Sequence, residues 1–409
     1  MTPFRAVAPA AWLAAALAAL APLAAQAALP AHRVWTRSWE AVPSDLLPAA
    51  PPADDAASPT GITFRMTARL SAGGTALRLT LSNELATTPL TIGAVHVALA
   101  DPKGEPLPGT DHVVTFGENP APVIPAGAPL LSDPVAFRAA PLARVVVSIY
   151  VPGDTTHLTA HALGVSTTRL APGDQTAAPK LPGTMTRKNR FLLSGIDVAG
   201  GPATATIVTL GDSITDGAVS TDDSNRRWPD FLAERLRASG RTGFSVANAG
   251  LSGNRLLATG AGPAALARLD RDVLSVPGVR YVVILEGVND IGNPTARKVA
   301  LPTPDELIGA YRQIIARAHN RGIKVIGATI LPYKGAGYYS DAGDAVRSAV
   351  NTWIRVPGHF DGVIDFDRIT SDKADPLRMA PAYDSGDKLH PGDEGYRAMA
   401  AGVDLGLFR

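Results

Sequence analysis

The chain has 409 residues, 38 Lys and Arg against 37 Asp and Glu, a formal net charge of +1 and no cysteine. So balanced a charge gives no electrostatic reason to expect a nucleic acid or an anionic membrane surface as partner. The lack of cysteine excludes disulfides, thiol catalysis, cysteine-ligated metals and cysteine lipidation. The length exceeds one ordinary core, so two domains with connecting segments are expected.

Near the start, Arg5 precedes an apolar stretch from about Ala10 to Ala25 and then Ala25-Gln26-Ala27. A basic residue, a short apolar run and a small-x-small site follow the order of a secretory signal peptide, and the run is shorter than the ~20 residues of a spanning helix. Residues 1–27 are therefore expected to be a cleaved signal, giving an exported protein (periplasmic or secreted) without a stable membrane anchor. From Leu29 to about Pro59 the chain is rich in Pro and Ala. Val34-Trp35-Thr36 there suits a strand, with Trp35 and Trp39 covering the next domain in preference to stacking on a sugar.

Between Thr60 and about Leu170, short β-prone runs alternate with Gly, Pro, Asn and Asp, as in Ile62–Met66, Leu77–Leu81, Val95–Leu99 and Arg144–Val151. Such punctuation predicts an all-β antiparallel sandwich over residues 28–172. Its aromatics are sparse, which favours packing and cleft-shaping over sugar binding. His157 and His161 invite a metal reading, but an i,i+4 pair in a β-rich stretch does not share a helix face, and no metal site is expected. Residues 173–203, with repeated Pro and Gly, read as a linker with a short ordered piece near Arg190–Leu193.

After Ala203 strands and helices alternate. Strands are expected at Ala205–Leu210, Ser245–Asn248, Tyr281–Glu286, Lys324–Leu331 and Val363–Asp367, with helices near Trp228–Ser239, Ala264–Leu274, Pro304–Asn320 and Asp341–Ile354. The third helix opens on a capping box, Thr303-Pro304-Asp305-Glu306, and is followed by Gly322. This alternation predicts an α/β catalytic domain over 204–409, with a five-stranded parallel sheet flanked by helices.

In such sheets ligands bind beyond the carboxyl ends of the strands. The first three strands end at Gly211-Asp212-Ser213, Asn248-Ala249-Gly250 and Gly287-Val288-Asn289-Asp290. Ser213 is the candidate nucleophile, and a serine needs a base and a group to orient that base. Asp387-Lys388-Leu389-His390 supplies both. The oxyanion donors are assigned to the Ser213 and Gly250 backbone N–H groups and the Asn289 amide. Asp212, adjacent to the nucleophile at a strand end, reads as a loop brace. The insertion Tyr333–Tyr339 places Tyr338 and Tyr339 on the active-site edge, either as a rim that contacts substrate or as a solvent loop. This chemistry requires no metal or organic cofactor.

The four blocks Gly211-Asp212-Ser213, Gly250, Gly287-Val288-Asn289-Asp290 and Asp387-Lys388-Leu389-His390, in that order, resemble those of the SGNH (GDSL) hydrolase family. With Gly253-Asn254-Arg255-Leu256 and Pro381–Gly386, the chain is similar to a secreted, carbohydrate-esterase-like branch in which a β-sandwich precedes the catalytic domain. The resemblance implies a flavodoxin-like α/β/α fold behind a jelly-roll-like sandwich, a role for Asn254 at the substrate, and a serine esterase acting on short-chain, O-acetyl esters of carbohydrate. Two other readings stand beside it: a lipase, arylesterase or lysophospholipase on longer acyl or aryl esters, and a carbohydrate-binding or acyl-transferring protein.

Overall fold

The computed structural model describes residues 33–49, 60–183 and 185–409. The expected signal peptide lies outside the described residues. Among the described residues no helix is long and apolar enough to cross a membrane.

The N-terminal half is antiparallel β-structure. One sheet runs in the order Trp35–Glu40, Leu193–Ala199, Gly74–Ser82, Val135–Ala139. The other runs Met185–Arg187, Thr168–Pro172, Thr60–Arg69, Arg144–Asp154, Ala94–Leu99, His112–Val113. Alternate residues of the two sheets, such as Phe64, Met66 and Ala68 from one and Leu77, Leu79 and Leu81 from the other, share one buried core, so the sheets face each other as a sandwich. Trp39 belongs to this core, covering the sandwich as expected.

The expected linker at 173–203 is corrected by the structure. It carries three strands, and Leu193–Ala199 is buried throughout between Trp35–Glu40 and Gly74–Ser82. Its charged residue Asp197 is neutralised by Arg37 at 2.6 Å and Arg78 at 2.9 Å, which is how an acid sits in a central strand.

The C-terminal half holds a parallel five-stranded sheet in the order Phe244–Gly250, Ala205–Gly211, Val279–Leu285, Lys324–Ala328, Gly362–Ile364. That order, 2-1-3-4-5 along the chain, is the flavodoxin-like one, with its switch point beside the first strand. Ala205–Gly211 is buried at every residue, as a strand covered on both faces must be. The helix Pro304–His319 begins as expected, with Thr303 Oγ1 accepting from the Glu306 N–H and Glu306 Oε2 accepting from the Thr303 N–H. The expected helix Ala264–Leu274 is α over Ala265–Leu269 and widens to a π turn over Asp270–Leu274.

Val34–Arg409 form one compact unit. The halves are joined by Arg37 N–H to Thr206 Oγ1 (3.1 Å), Val246 N–H to Ser71 Oγ (2.9 Å) and Arg69 to Glu234 (2.6 Å).

Candidate active site

The strand Ala205–Gly211 stops where Asp212 turns extended and caps a single helical turn, Ser213–Asp216, its carboxylate accepting from the Ile214 N–H. Asp212 therefore braces the loop. Burial raises its pKa to about 7, with the Ile214 bond pulling the other way and the charges of Asp290 and Asp216 adding to the rise. Ser213, the first residue of the turn, keeps only 8% exposure, and its own N–H makes no hydrogen bond to an acceptor among the described residues.

Ser213 Oγ lies 2.8 Å from His390 Nε2, and His390 Nδ1 lies 2.6 Å from Asp387 Oδ2. The sequence separation of Ser213 and His390 is 177 residues, and the fold closes it. Asp387 Oδ1 also accepts the N–H of Leu389 (2.9 Å) and of His390 (2.8 Å), so a single carboxylate fixes both the backbone and the ring. Partial burial would raise the Asp387 pKa, but the His390 ring and the two amides hold it below the usual carboxylate value. Lys388 between them is left-handed, φ +68°, and its N–H and Nζ both bind Asp384.

The third block is the start of a helix, Val288–Arg297, where a loop was expected. Gly287 at φ +113° makes the left-handed turn into it, and Pro294 inside it hides the pattern. Asn289 is buried in its first turn. Its Nδ2 donates to the Asn254 carbonyl at 3.1 Å, and its Oδ1 accepts from the Tyr338 hydroxyl at 3.3 Å. With Oδ1 claimed by a donor, the amide is oriented and its second N–H is left for another acceptor. Asp290 is an anchor: its two oxygens accept the N–H of Leu256 (2.8 Å) and Leu257 (3.0 Å).

The turn after the second strand corrects two expectations. The Gly250 N–H, expected as an oxyanion donor, is spent on Asn248 Oδ1 at 2.9 Å and is not free. Leu251 N–H is spent on Gly211 O (2.9 Å), Ser252 N–H on Asp216 Oδ2 (2.9 Å) and Asn254 N–H on Leu251 O (3.0 Å). Gly253, left-handed at φ +77°, is the residue of this turn whose N–H has no acceptor among the described residues. Asn254, expected at the substrate, is 1% exposed, with Nδ2 on Pro263 O (2.8 Å) and Oδ1 on Arg268 Nε (2.9 Å). Its side chain is scaffold; its carbonyl is the group that meets Asn289.

Of the rim tyrosines, Tyr338 reaches Asn289, whereas Tyr339 turns its hydroxyl to Asp341 at 3.1 Å. Sequence reasoning missed Arg268, and weighed His161 only as a metal ligand. Both are buried and both touch this site through backbone or carboxylate groups far away in the chain.

Residues 209–398 match the family model for the GDSL-like lipase/acylhydrolase family. Those residues form a GDSL-like lipase/acylhydrolase domain. It is an ester hydrolase domain, and the strand-end serine stands where the family model begins its match. No curated protein matches the chain. Among solved structures, a GDSL-family lipolytic protein from Desulfitobacterium hafniense DCB-2 is 22% identical, covering 48% of this chain and 97% of its own, with a TM-score of 0.37. An acylhydrolase from Bacteroides fragilis is 22% identical over 50% of this chain and 86% of its own, TM-score 0.37. A catalytic mutant of an acetylxylan esterase from Geobacillus stearothermophilus is 19% identical over 49% and 92%, TM-score 0.39.

Proposed function

We propose that this GDSL-like hydrolase is an exported serine esterase that removes short acyl groups, O-acetyl above all, from carbohydrate through an acyl-enzyme on Ser213. The observation that carries the reading is the relay from Ser213 Oγ to His390 Nε2 (2.8 Å) and from His390 Nδ1 to Asp387 Oδ2 (2.6 Å).

In this reading His390 Nε2 takes the hydroxyl proton as Ser213 Oγ attacks the ester carbonyl carbon, and the carbonyl electron pair moves onto oxygen. The Asp387 carboxylate accepts from Nδ1–H and stabilises the imidazolium. The oxyanion is met by the Ser213 N–H, the Gly253 N–H and the second Asn289 amide hydrogen. Gly253 replaces Gly250 in this role because it holds the uncommitted N–H of the turn, and the Asn254 carbonyl next to it binds Asn289. Collapse expels the alcohol, which takes the proton from Nε2. Water then attacks the acyl-enzyme by the same route, releasing the acid and restoring Ser213.

Two features support short acyl groups on sugar. The Tyr338 ring stands as a wall beside Asn289, and a Cβ on Gly292 would lie only 1.8 Å from it, so the ring is seated against the helix backbone. The sequence resemblance points to carbohydrate esterases. The organisation that goes with the reading is a signal over 1–27, a sandwich that includes the strand Leu193–Ala199, and a hydrolase domain from about residue 204.

The test is acetate release from O-acetylated polysaccharides and oligosaccharides beside synthetic esters of increasing acyl length, with Ser213→Ala as control. Acetate freed from one polymer, with synthetic rates collapsing beyond short chains, supports the deacetylase. Activity confined to longer or aryl esters moves the protein to the lipase or arylesterase reading. Transfer to an added sugar in excess of hydrolysis makes it an acyltransferase, and turnover that survives Ser213→Ala overturns the serine mechanism.

A further inference from the structure

His161 closes the strand Leu158–His161, which pairs with Asp45–Leu47 and Arg190–Phe191 beside the sandwich and shares its core, and is 6% exposed. Its Nδ1 lies 2.8 Å from the Val42 carbonyl oxygen and its Nε2 lies 2.9 Å from Asp216 Oδ1. A carbonyl oxygen and a carboxylate oxygen that binds no proton can only accept. A neutral imidazole has one N–H and would turn a lone pair on one of them; both bonds form when both ring nitrogens carry protons. Asp216 ends the helical turn that starts at Ser213, and its second oxygen accepts from the Ser252 N–H (2.9 Å) and the Ser252 hydroxyl (2.7 Å). The next residue is Gly253. The turn and the helix touch closely enough that a Cβ on Gly250 would stand 2.2 Å from the Asp216 nitrogen.

The other charged groups around the ring are already engaged. Glu40, Arg190 and Arg227 line the small cavity on one side of it and Asp45 lines that on the other. Glu40 is paired with Arg37, Arg227 with Asp230, Arg190 donates to the Thr67 carbonyl, and Asp45 accepts from the Leu46 N–H. Asp216 is thus the carboxylate that binds the ring directly. Burial pulls the His161 pKa down, but the Asp216 charge and the two hydrogen bonds raise it above the ordinary imidazole value.

We propose that His161 is a positioning residue lent by the sandwich to the hydrolase: as an imidazolium it holds Asp216, and Asp216 holds Ser252 so that the Gly253 N–H is aimed at the oxyanion. The proposal rests on the reading of Ser213 and Gly253 given above. It makes the sandwich part of the catalytic apparatus, through one cation and not through substrate contact.

The experiment combines kinetics on a short-chain synthetic ester with NMR of the His161 ring. His161→Gln and Ser252→Ala should each lower kcat roughly tenfold to a hundredfold, the effect of a small misplacement at a reacting centre, with KM little changed. The double variant should lose no more than the worse single one, because both act through one chain. The unaltered enzyme should lose kcat at alkaline pH as one proton leaves, and His161→Gln should lack that limb. Wild-type kcat and wild-type pH profile in folded His161→Gln and Ser252→Ala would overturn the proposal; if His161→Gln fails to fold, Ser252→Ala decides it. The ring is read independently in Ser213→Ala protein, where two ring N–H resonances at neutral pH are expected. A neutral ring there overturns the relay whatever becomes of the esterase reading, whereas turnover surviving Ser213→Ala overturns the reading and leaves the ring result standing.

Discussion

Arg268 reaches the Gly211 carbonyl oxygen with Nη2 at 3.0 Å, two residues before the serine that strand presents. The same guanidinium donates through Nη1 to Ala249 O at 2.8 Å and through Nε to Asn254 Oδ1 at 2.9 Å. Its charge is met by Asp272 at 3.2 Å and Glu286 at 3.5 Å, all three side chains being buried. One planar cation therefore ties together two strand ends and the turn between them. Arg268→Leu leaves three buried acceptors without their donor and Asp272 with Arg271 alone at 2.6 Å, and should cost about 3–5 kcal/mol. Arg268→Lys keeps the charge but cannot span three acceptors, and should lower kcat while losing less stability. Denaturant midpoints and kcat for both variants check this; an Arg268→Lys enzyme equal to the parent in both would show that the fork is not what matters.

The Asp387 carboxylate divides its two oxygens between the His390 ring and the backbone of its own loop. Asp387→Asn can keep the backbone bonds while offering Nδ1 an uncharged partner that does not stabilise the imidazolium. A loss in kcat/KM of about 10³–10⁴-fold is expected, with folding stability little altered because this side chain is 44% exposed. A loss below about tenfold would reduce Asp387 to a tie for the loop.

How much of this could be read from the chain depends on the range of the forces involved. The parallel strands were legible because a strand buried on both faces is a continuous apolar run, and the helix from Pro304 because its cap is written in adjacent residues. Leu193–Ala199 was not, since it carries Gly195 and Asp197 and is made a strand by partners far away in the chain. Ser213, Asn289, Asp387 and His390 stand at strand or loop ends, where their chemistry shows. That the Gly250 N–H is not the free one has a local cause: which N–H of the turn is free depends on Asn248 and Asp216 as acceptors. Arg268 gave no signal and His161 only a metal reading from its spacing to His157, because a buried His or Arg is defined by what lies opposite it.

Stability should fall as pH rises from mildly acidic to alkaline. Burial lifts Glu40 from 4.5 to about 8 against the pull of Arg37. A carboxyl with a raised folded pKa binds its proton more tightly folded than unfolded. Its effect is nil below the unfolded value, and the folded state loses stability as pH climbs toward about 8. His161, also raised, acts with the same sign: its contribution is full below the unfolded imidazole pKa of about 6.5 and is lost as pH rises through the folded value. On the acid side, Asp365 and Asp387 are lowered, so their contribution is present above about 4 and lost below it. Glu40→Gln should flatten the alkaline decline, by roughly 3–5 kcal/mol at full extent. Chemical denaturation across pH measures it, and an unchanged slope in Glu40→Gln would mean that Glu40 is ionised throughout.

The seating of Tyr338 yields the most direct test of how the Asn289 amide, the proposed oxyanion donor, is aimed. The Tyr338 hydroxyl donates to Asn289 Oδ1 at 3.3 Å, and its ring lies where a Cβ on Gly292 would intrude at 1.8 Å. Asn289→Ala removes the donor and should lower kcat by roughly a hundredfold or more. Tyr338→Phe keeps the wall and removes the bond that orients the amide, so kcat should fall by a smaller factor while acyl-length preference stays put. Gly292→Ala keeps both partners but pushes the ring off its seat, and should both lower kcat and relax the preference for short acyl chains. Steady-state rates over an acyl series separate the three. If Gly292→Ala leaves the series unchanged, the ring does not set the depth of the acyl site, and the limit on chain length must be sought in another wall.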